Sequence, residues 1–190
     1  MKSKYKKIWD EAQKYLRKGL NKDFVIHTEG VIKATELILK NEKGCAELLI
    51  PSAILHDVGW ADVPKNCQRT MDKKMKLRGM KLHIELAPRI INNILCSLGY
   101  KSADIKKIIE IVQSHKFKKP KNLNKRILID ADQLSDAFKK QFYSDAKAYK
   151  LPPGKLLVFR MNDNVFYTKT AKNIFIKEIG MRGKEIENIK

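Results

Sequence analysis

Apolar residues recur along this chain every three or four positions, the spacing that places them on one face of an α-helix, and no sustained two-residue alternation of strand type interrupts them. Around His27, for instance, Phe24, Val31, Ala34 and Ile38 fall on a single stripe. The spacing predicts helices over 4–18, 23–40, 45–57, 79–98, 102–115, 123–143 and 165–179. Stop signals separate them: Gly19 with Asn21, Asn41 with Gly44, Gly59, Gly99, and Pro120 after a lysine cluster. Ser102 offers an N-cap, with Asp104 well placed against the helix dipole. The stretch 61–78 is polar, lysine-rich and without clear period, and reads as a long loop of the kind that often forms a lid or binding loop. Pro152, Pro153 and Gly154 mark 150–164 as a second irregular connection. The expected fold class is all-α, a compact helical bundle in which residues 1–190 form one domain.

Composition changes that picture little. A hydrophobic share of 43% supports a folded core even though 32% of residues are charged and the net charge is +19. The excess is mostly lysine, 33 against 7 arginines, so it describes a solvated basic surface more readily than a guanidinium-based nucleic-acid reader. Nucleic acid is therefore a partner to consider but not the favoured one; attraction of small anionic substrates is the other consequence of such a charge. Cys45, Cys67 and Cys96 are odd in number and form no CxxC pair, which fits a reducing, cytoplasmic setting. The basic N-terminus runs into Trp9, Asp10, Glu11 and Gln13 rather than an apolar core, so no signal peptide is expected. The apolar run 46–55 is too short to span a bilayer, and no membrane association is expected.

The chain has only four histidines, and all of them fall on apolar stripes. His83 shares a face with Ala87, Ile90 and Ile94, His115 with Ile105, Ile108 and Val112, and His56 follows Ala53, Ile54 and Leu55. A buried imidazole needs partners for both ring nitrogens, and a shared metal would serve all four rings at once. Asp57 beside His56, and Asp130 and Asp132 inside the apolar run 127–134, add hard oxygen ligands. Imidazole with carboxylate suits Mn, Fe, Co, Ni or Zn, and the lack of thiolates argues against a structural zinc site.

The ordered set His27, then His56 and Asp57 in HDVGW, then Asp132 in DADQLSD resembles the HD-domain metal-dependent phosphohydrolase superfamily, over roughly 23–138, with 139–190 as a helical extension. The resemblance implies a helical fold and a divalent metal, one or two ions with Mg also among the candidates, held by His27, His56, Asp57 and Asp132. Members with two metals carry two further histidines, matched in position by His83 and His115; holding the substrate phosphate or a water is their other expected role. On a helical wheel Asp130 lies nearer the apolar face of Ile127, Ala131, Leu134 and Phe138, but the family pattern puts the ligand directly after the alanine. Asp132 is thus the expected ligand and Asp130 an outer residue that orients a histidine.

A metal in that set would activate water against a phosphoester, with Asp57 as the residue linking metal and attacking water. Arg69, Arg78, Lys81 and Lys116 are candidate phosphate grips, Asp62 a candidate acid or base, and Trp60 a candidate base-stacking or helix-end residue. No P-loop or GxGxxG occurs, so NTP-driven and dinucleotide redox chemistry have no support. The expected substrate is a small phosphorylated compound, by resemblance a nucleotide. The competing readings are a basic nucleic-acid-binding protein with a structural metal site, and a di-iron oxygenase on the same fold.

Overall fold

Ten α-helices and two short 3-10 segments make up the regular structure of the computed structural model, which describes residues 3–20, 23–68, 70, 72–116, 119–163 and 165–188; no strand occurs among them. The first helix, α1 (Lys6–Leu16), buries Ile8, Ala12 and Leu16 at four-residue intervals. Asp23 caps α2 (Phe24–Ile38) by accepting from the Ile26 N–H at 3.0 Å. α3 (Ala46–Leu55) is buried continuously from Leu49 to Leu55, as a helix through the middle of a core must be. The 3-10 turn Val58–Asp62 and the short α4 (Lys65–Gln68) lead into α5 (Lys73–Ser97), capped by Asp72 and ended at Gly99, whose φ of 75° closes the last turn. α6 (Ser102–Val112) and α7 (Leu123–Ser135) follow, then α8 (Lys139–Ala148), α9 (Pro153–Asp163) and α10 (Lys169–Glu187).

α3 is the axis of the bundle: α2, α6 and α7 surround it, α2 also packs on α7, and α5 lies on the 3-10 turn and α6. The interior is aliphatic, with Ile38, Leu49, Ile54, Ile91, Leu95, Ile108 and Ile127 among its fully buried members. Gly59 lets α5 approach, because a Cβ there would stand 1.9 Å from the His83 carbonyl oxygen. Among the described residues no helix is long and apolar enough to cross a membrane.

Several expected boundaries are corrected. The loop expected over 61–78 is largely helical, since α4 and the first turns of α5 occupy it. Its lysines mask the period because α5 there buries little beyond Gly79 and His83. The single helix expected over 123–143 breaks at 136–138, where partners from later in the chain take over. Arg160 donates to Asp136 at 2.5 Å and Arg182 to the Ala137 carbonyl at 3.3 Å. The irregular connection expected at 150–164 is mostly α9, with Pro153 at its first position, where a missing N–H costs nothing. The last helix starts at Lys169 rather than 165 and runs to Glu187, well beyond the expected end at 179, with the Arg182 side chain buried.

Candidate metal centre

Two of the histidines stand just past helix C-termini, and the helix ends fix their rings. His56 follows α3 and its Nδ1–H donates to the Ala53 carbonyl at 2.8 Å; His115 follows α6 and donates likewise to Val112 at 2.6 Å. Each ring is thereby tied to the last turn of its own helix, and in the neutral ring Nε2 is left with a lone pair facing inward. His27 sits one turn into α2, its Nδ1 3.2 Å from the Ser135 hydroxyl. That hydroxyl spends its own proton on the Asp132 carbonyl at 2.8 Å, so it accepts from His27, and His27 too presents a bare Nε2.

These lone pairs converge. His27 Nε2 lies 3.2 Å from His56 Nε2, 3.5 Å from Asp57 Oδ2 and 3.0 Å from Asp132 Oδ1; His56 Nε2 lies 3.3 Å from Asp57 Oδ2 and 3.9 Å from Asp132 Oδ1. A metal about 2.1 Å from each ligand atom sets neighbouring ligand atoms roughly 3.0 Å apart in an octahedron and roughly 3.4 Å apart in a tetrahedron. The observed spacings match such a shell, and a cation among them would relieve the repulsion of acceptors packed this closely. The other Asp57 oxygen, Oδ1, faces a second group: His83 Nε2 at 3.6 Å and His115 Nε2 at 3.9 Å, themselves 3.3 Å apart. His27, His56 and Asp57, and again Asp57, His83 and His115, are groups that could hold a metal ion, and all five residues are buried. The negative ends of α3 and α6 point at the cluster and add to its preference for a cation.

The electrostatics agree with that preference. Burial pushes the Asp57 carboxyl up, but His56, His27 and His83 overcome it and hold the group well below the usual carboxylate range. Asp132 behaves the same way, with Lys116 the strongest influence against its burial. Burial brings His83 down to about 4 and His115 well below the ordinary imidazole value, assisted in both by Lys116. His56 also pays for burial, but Asp57 and Asp132 raise it above its usual value. Both carboxylates are thus ionised, and His83 and His115 neutral, near neutral pH.

The structure therefore brings together His27, His56, Asp57, His83, His115 and Asp132, with Lys116 paired to Asp132 and part-exposed. Asp130 lies elsewhere. It was expected to orient a histidine, but its carboxylate accepts from Tyr167 N–H at 2.8 Å and from Thr168 N–H and Oγ1 at 2.7 and 2.6 Å, at the start of α10. Arg78 and Lys81 border a shallow depression of about 320 Å³ on α5, with no residue of the metal cluster lining it. Arg69 falls outside the described residues. Asp62 faces solvent and pairs with Arg89 at 2.6 Å. Trp60 is buried, stacked on His83, and presents no free face to a base. Two contributors escaped the sequence reading. Ser135 stands three residues after Asp132 and shares its helix face, a usable signal. The depression lined by Ser114, Lys119, Lys121, Asn122 and Lys125, about 310 Å³, was announced only by the lysine cluster before Pro120.

The comparisons with known proteins agree with the fold. The HD-domain family model matches residues 24–137, and the chain belongs to that family. Its fold is similar to the crystal structure of a predicted HD superfamily hydrolase from an uncultured Thermotogales bacterium, with a TM-score of 0.62 and 18% identity over 97% of this chain and 90% of the other. No curated protein sequence matches.

Proposed function

We propose that this protein is a metal-dependent phosphohydrolase that cleaves a phosphomonoester or phosphodiester, with a nucleotide as the substrate class. The observation that carries the reading is the convergence of four histidine Nε2 atoms on the two oxygens of one buried carboxylate, Asp57. His27, His56, Asp57 and Asp132 would hold one divalent ion, and Asp57, His83 and His115 a second or the substrate phosphate. When bound, such an ion makes a water acidic enough to attack near neutral pH and polarises a phosphoryl oxygen.

The residues of the chain do the rest. Asp57, ionised and reaching both groups, orients the attacking water and accepts a hydrogen bond from it. Lys116 pairs with Asp132 from a side chain 31% exposed, so its ammonium joins the buried cluster to solvent where a phosphoryl oxygen can exchange for the carboxylate. The lysines at 119, 121 and 125 line the depression beside Ser114 and draw anions toward the same loop. The hydrophobic walls from α3 and α6 keep bulk water away from the charges.

Elemental analysis of purified wild-type and Asp57→Ala protein, paired with a hydrolysis screen over nucleotides and p-nitrophenyl phosphate esters, tests the proposal. The expected result is transition metal in the wild type, reduced in the variant, and phosphate release that stops on chelation. Wild-type protein that stays metal-free and inactive when offered Mn, Co, Ni, Fe or Mg overturns it.

A further inference from the structure

His83 is the exception among the four histidines. His56, His115 and His27 each anchor Nδ1 on an oxygen, whereas His83 Nδ1 is buried with no hydrogen-bond partner among the described residues. Its ring is held instead by an aromatic face. The Trp60 indole lies parallel to it, centroids 4.6 Å apart and planes 9° apart, and Phe24 backs the indole at 5.6 Å. Trp60 reaches this place because Gly59 lets the α5 backbone come down on the 3-10 turn, and because the Gln68 amide holds the Trp60 carbonyl at 3.0 Å.

We propose that Trp60 is the positioning residue for His83, and that this substitution of a stack for a hydrogen bond makes the Asp57–His83–His115 group the weaker of two ion sites. The inference rests on the reading of the cluster as a two-ion centre. Its physical basis is the location of one proton. Without an ion, the neutral His83 ring is best served by carrying its proton on Nε2, 3.3 Å from His115 Nε2 and 3.6 Å from Asp57 Oδ1, both acceptors. An ion on Nε2 requires that proton to sit on Nδ1, where no acceptor waits. The indole does not supply one, since a parallel ring offers its face to the imidazole plane and not to an in-plane N–H. A stack fixes the plane of the ring but leaves rotation within the plane free and adds no basicity, the two services that an outer hydrogen bond gives a ligating histidine. The group around His27 and His56 bears none of these penalties.

Cobalt(II) titration of the metal-stripped protein by calorimetry, with Trp60→Phe and Trp60→Leu beside wild type, tests the proposal. Two equivalents are expected in wild type, the second at least about tenfold weaker than the first. Trp60→Leu should weaken the second equivalent by about tenfold more and leave the first unchanged, and Trp60→Phe, which keeps an aromatic face, should restore most of the loss. Equal affinities for both equivalents in wild type overturn the inference without requiring any variant to fold. So does a Trp60→Leu protein that binds both ions as wild type does, or one that loses the two equally. Binding of a single ion would also overturn it while leaving the proposed hydrolysis standing; binding of none removes both.

Discussion

A ligating histidine is useful only if its other nitrogen is spoken for, and Ser135 performs that service for His27 by an indirect route. Its hydroxyl donates to the Asp132 carbonyl and accepts from the His27 Nδ1–H, so one side chain ties a residue of α2 to the helix that carries Asp132. Ser135→Ala removes no ligand, yet it takes away the hydroxyl that accepts from the His27 Nδ1–H and so loosens the orientation of the ring. The expected result is a loss of about tenfold in affinity for the first ion equivalent, with little change in the second, measured by the same cobalt titration. An unchanged first equivalent would show that the Ser135 hydroxyl does not set the orientation of His27. At this scale much of the cluster was legible, because four scarce imidazoles on apolar stripes are hard to place otherwise. The stack of Trp60 on His83 was not, since Trp60 and His83 meet only when α5 folds back on the 3-10 turn, and nothing in local periodicity encodes that approach. The helical wheel pointed at Asp130 for a sound reason: Asp130 is indeed fully buried, but its partners are the backbone and hydroxyl of the residues that start α10.

Between elements, Asp130 works as a clamp. Thr168 caps α10 by accepting from the Ala171 N–H, and Asp130 in turn accepts three hydrogen bonds from Tyr167 and Thr168, so the N-terminus of α10 is bolted to the middle of α7. Burial raises the Asp130 carboxyl above its usual range despite those three donors, a sign of how dry the joint is. Asp130→Ala leaves the Tyr167 and Thr168 donors unpartnered and is expected to cost about 3 kcal/mol in denaturant unfolding. Metal content per folded molecule should not fall. Reduced metal at unchanged stability would instead restore Asp130 to an outer role at the metal centre. The helices that sequence periodicity placed well, α2, α3 and α6, are those whose apolar stripes face the core directly. It failed where tertiary partners decide the boundary, as when Arg160 and Arg182 take up the chain at 136–138 and split one apolar run into α7 and α8. It failed also where a helix is mostly solvated, as in the lysine-rich start of α5.

Across the whole molecule, the charge and the centre act at different ranges. Exposed pairs such as Lys6–Asp10, Lys14–Glu11 and Lys140–Glu29 neutralise some of the surface but contribute little stability, and a net charge of +19 remains. A field of that size concentrates anions over a distance set by the ionic atmosphere, about 10 Å at 0.1 M salt, whereas the cluster around Asp57 is buried and much less screened. Salt should therefore slow the arrival of substrate and leave its conversion alone. For a nucleotide or aryl phosphate, kcat/KM is expected to fall about three- to tenfold as KCl rises from about 20 to about 200 mM, while kcat stays nearly constant. The same titration separates the competing reading of the basic surface. Nucleic-acid binding that drops steeply with salt, persists after chelation and is indifferent to Asp57→Ala would make the surface an interface in its own right. A kcat/KM that ignores salt would mean that the lysines at 119, 121 and 125 solvate the chain without steering anything into it.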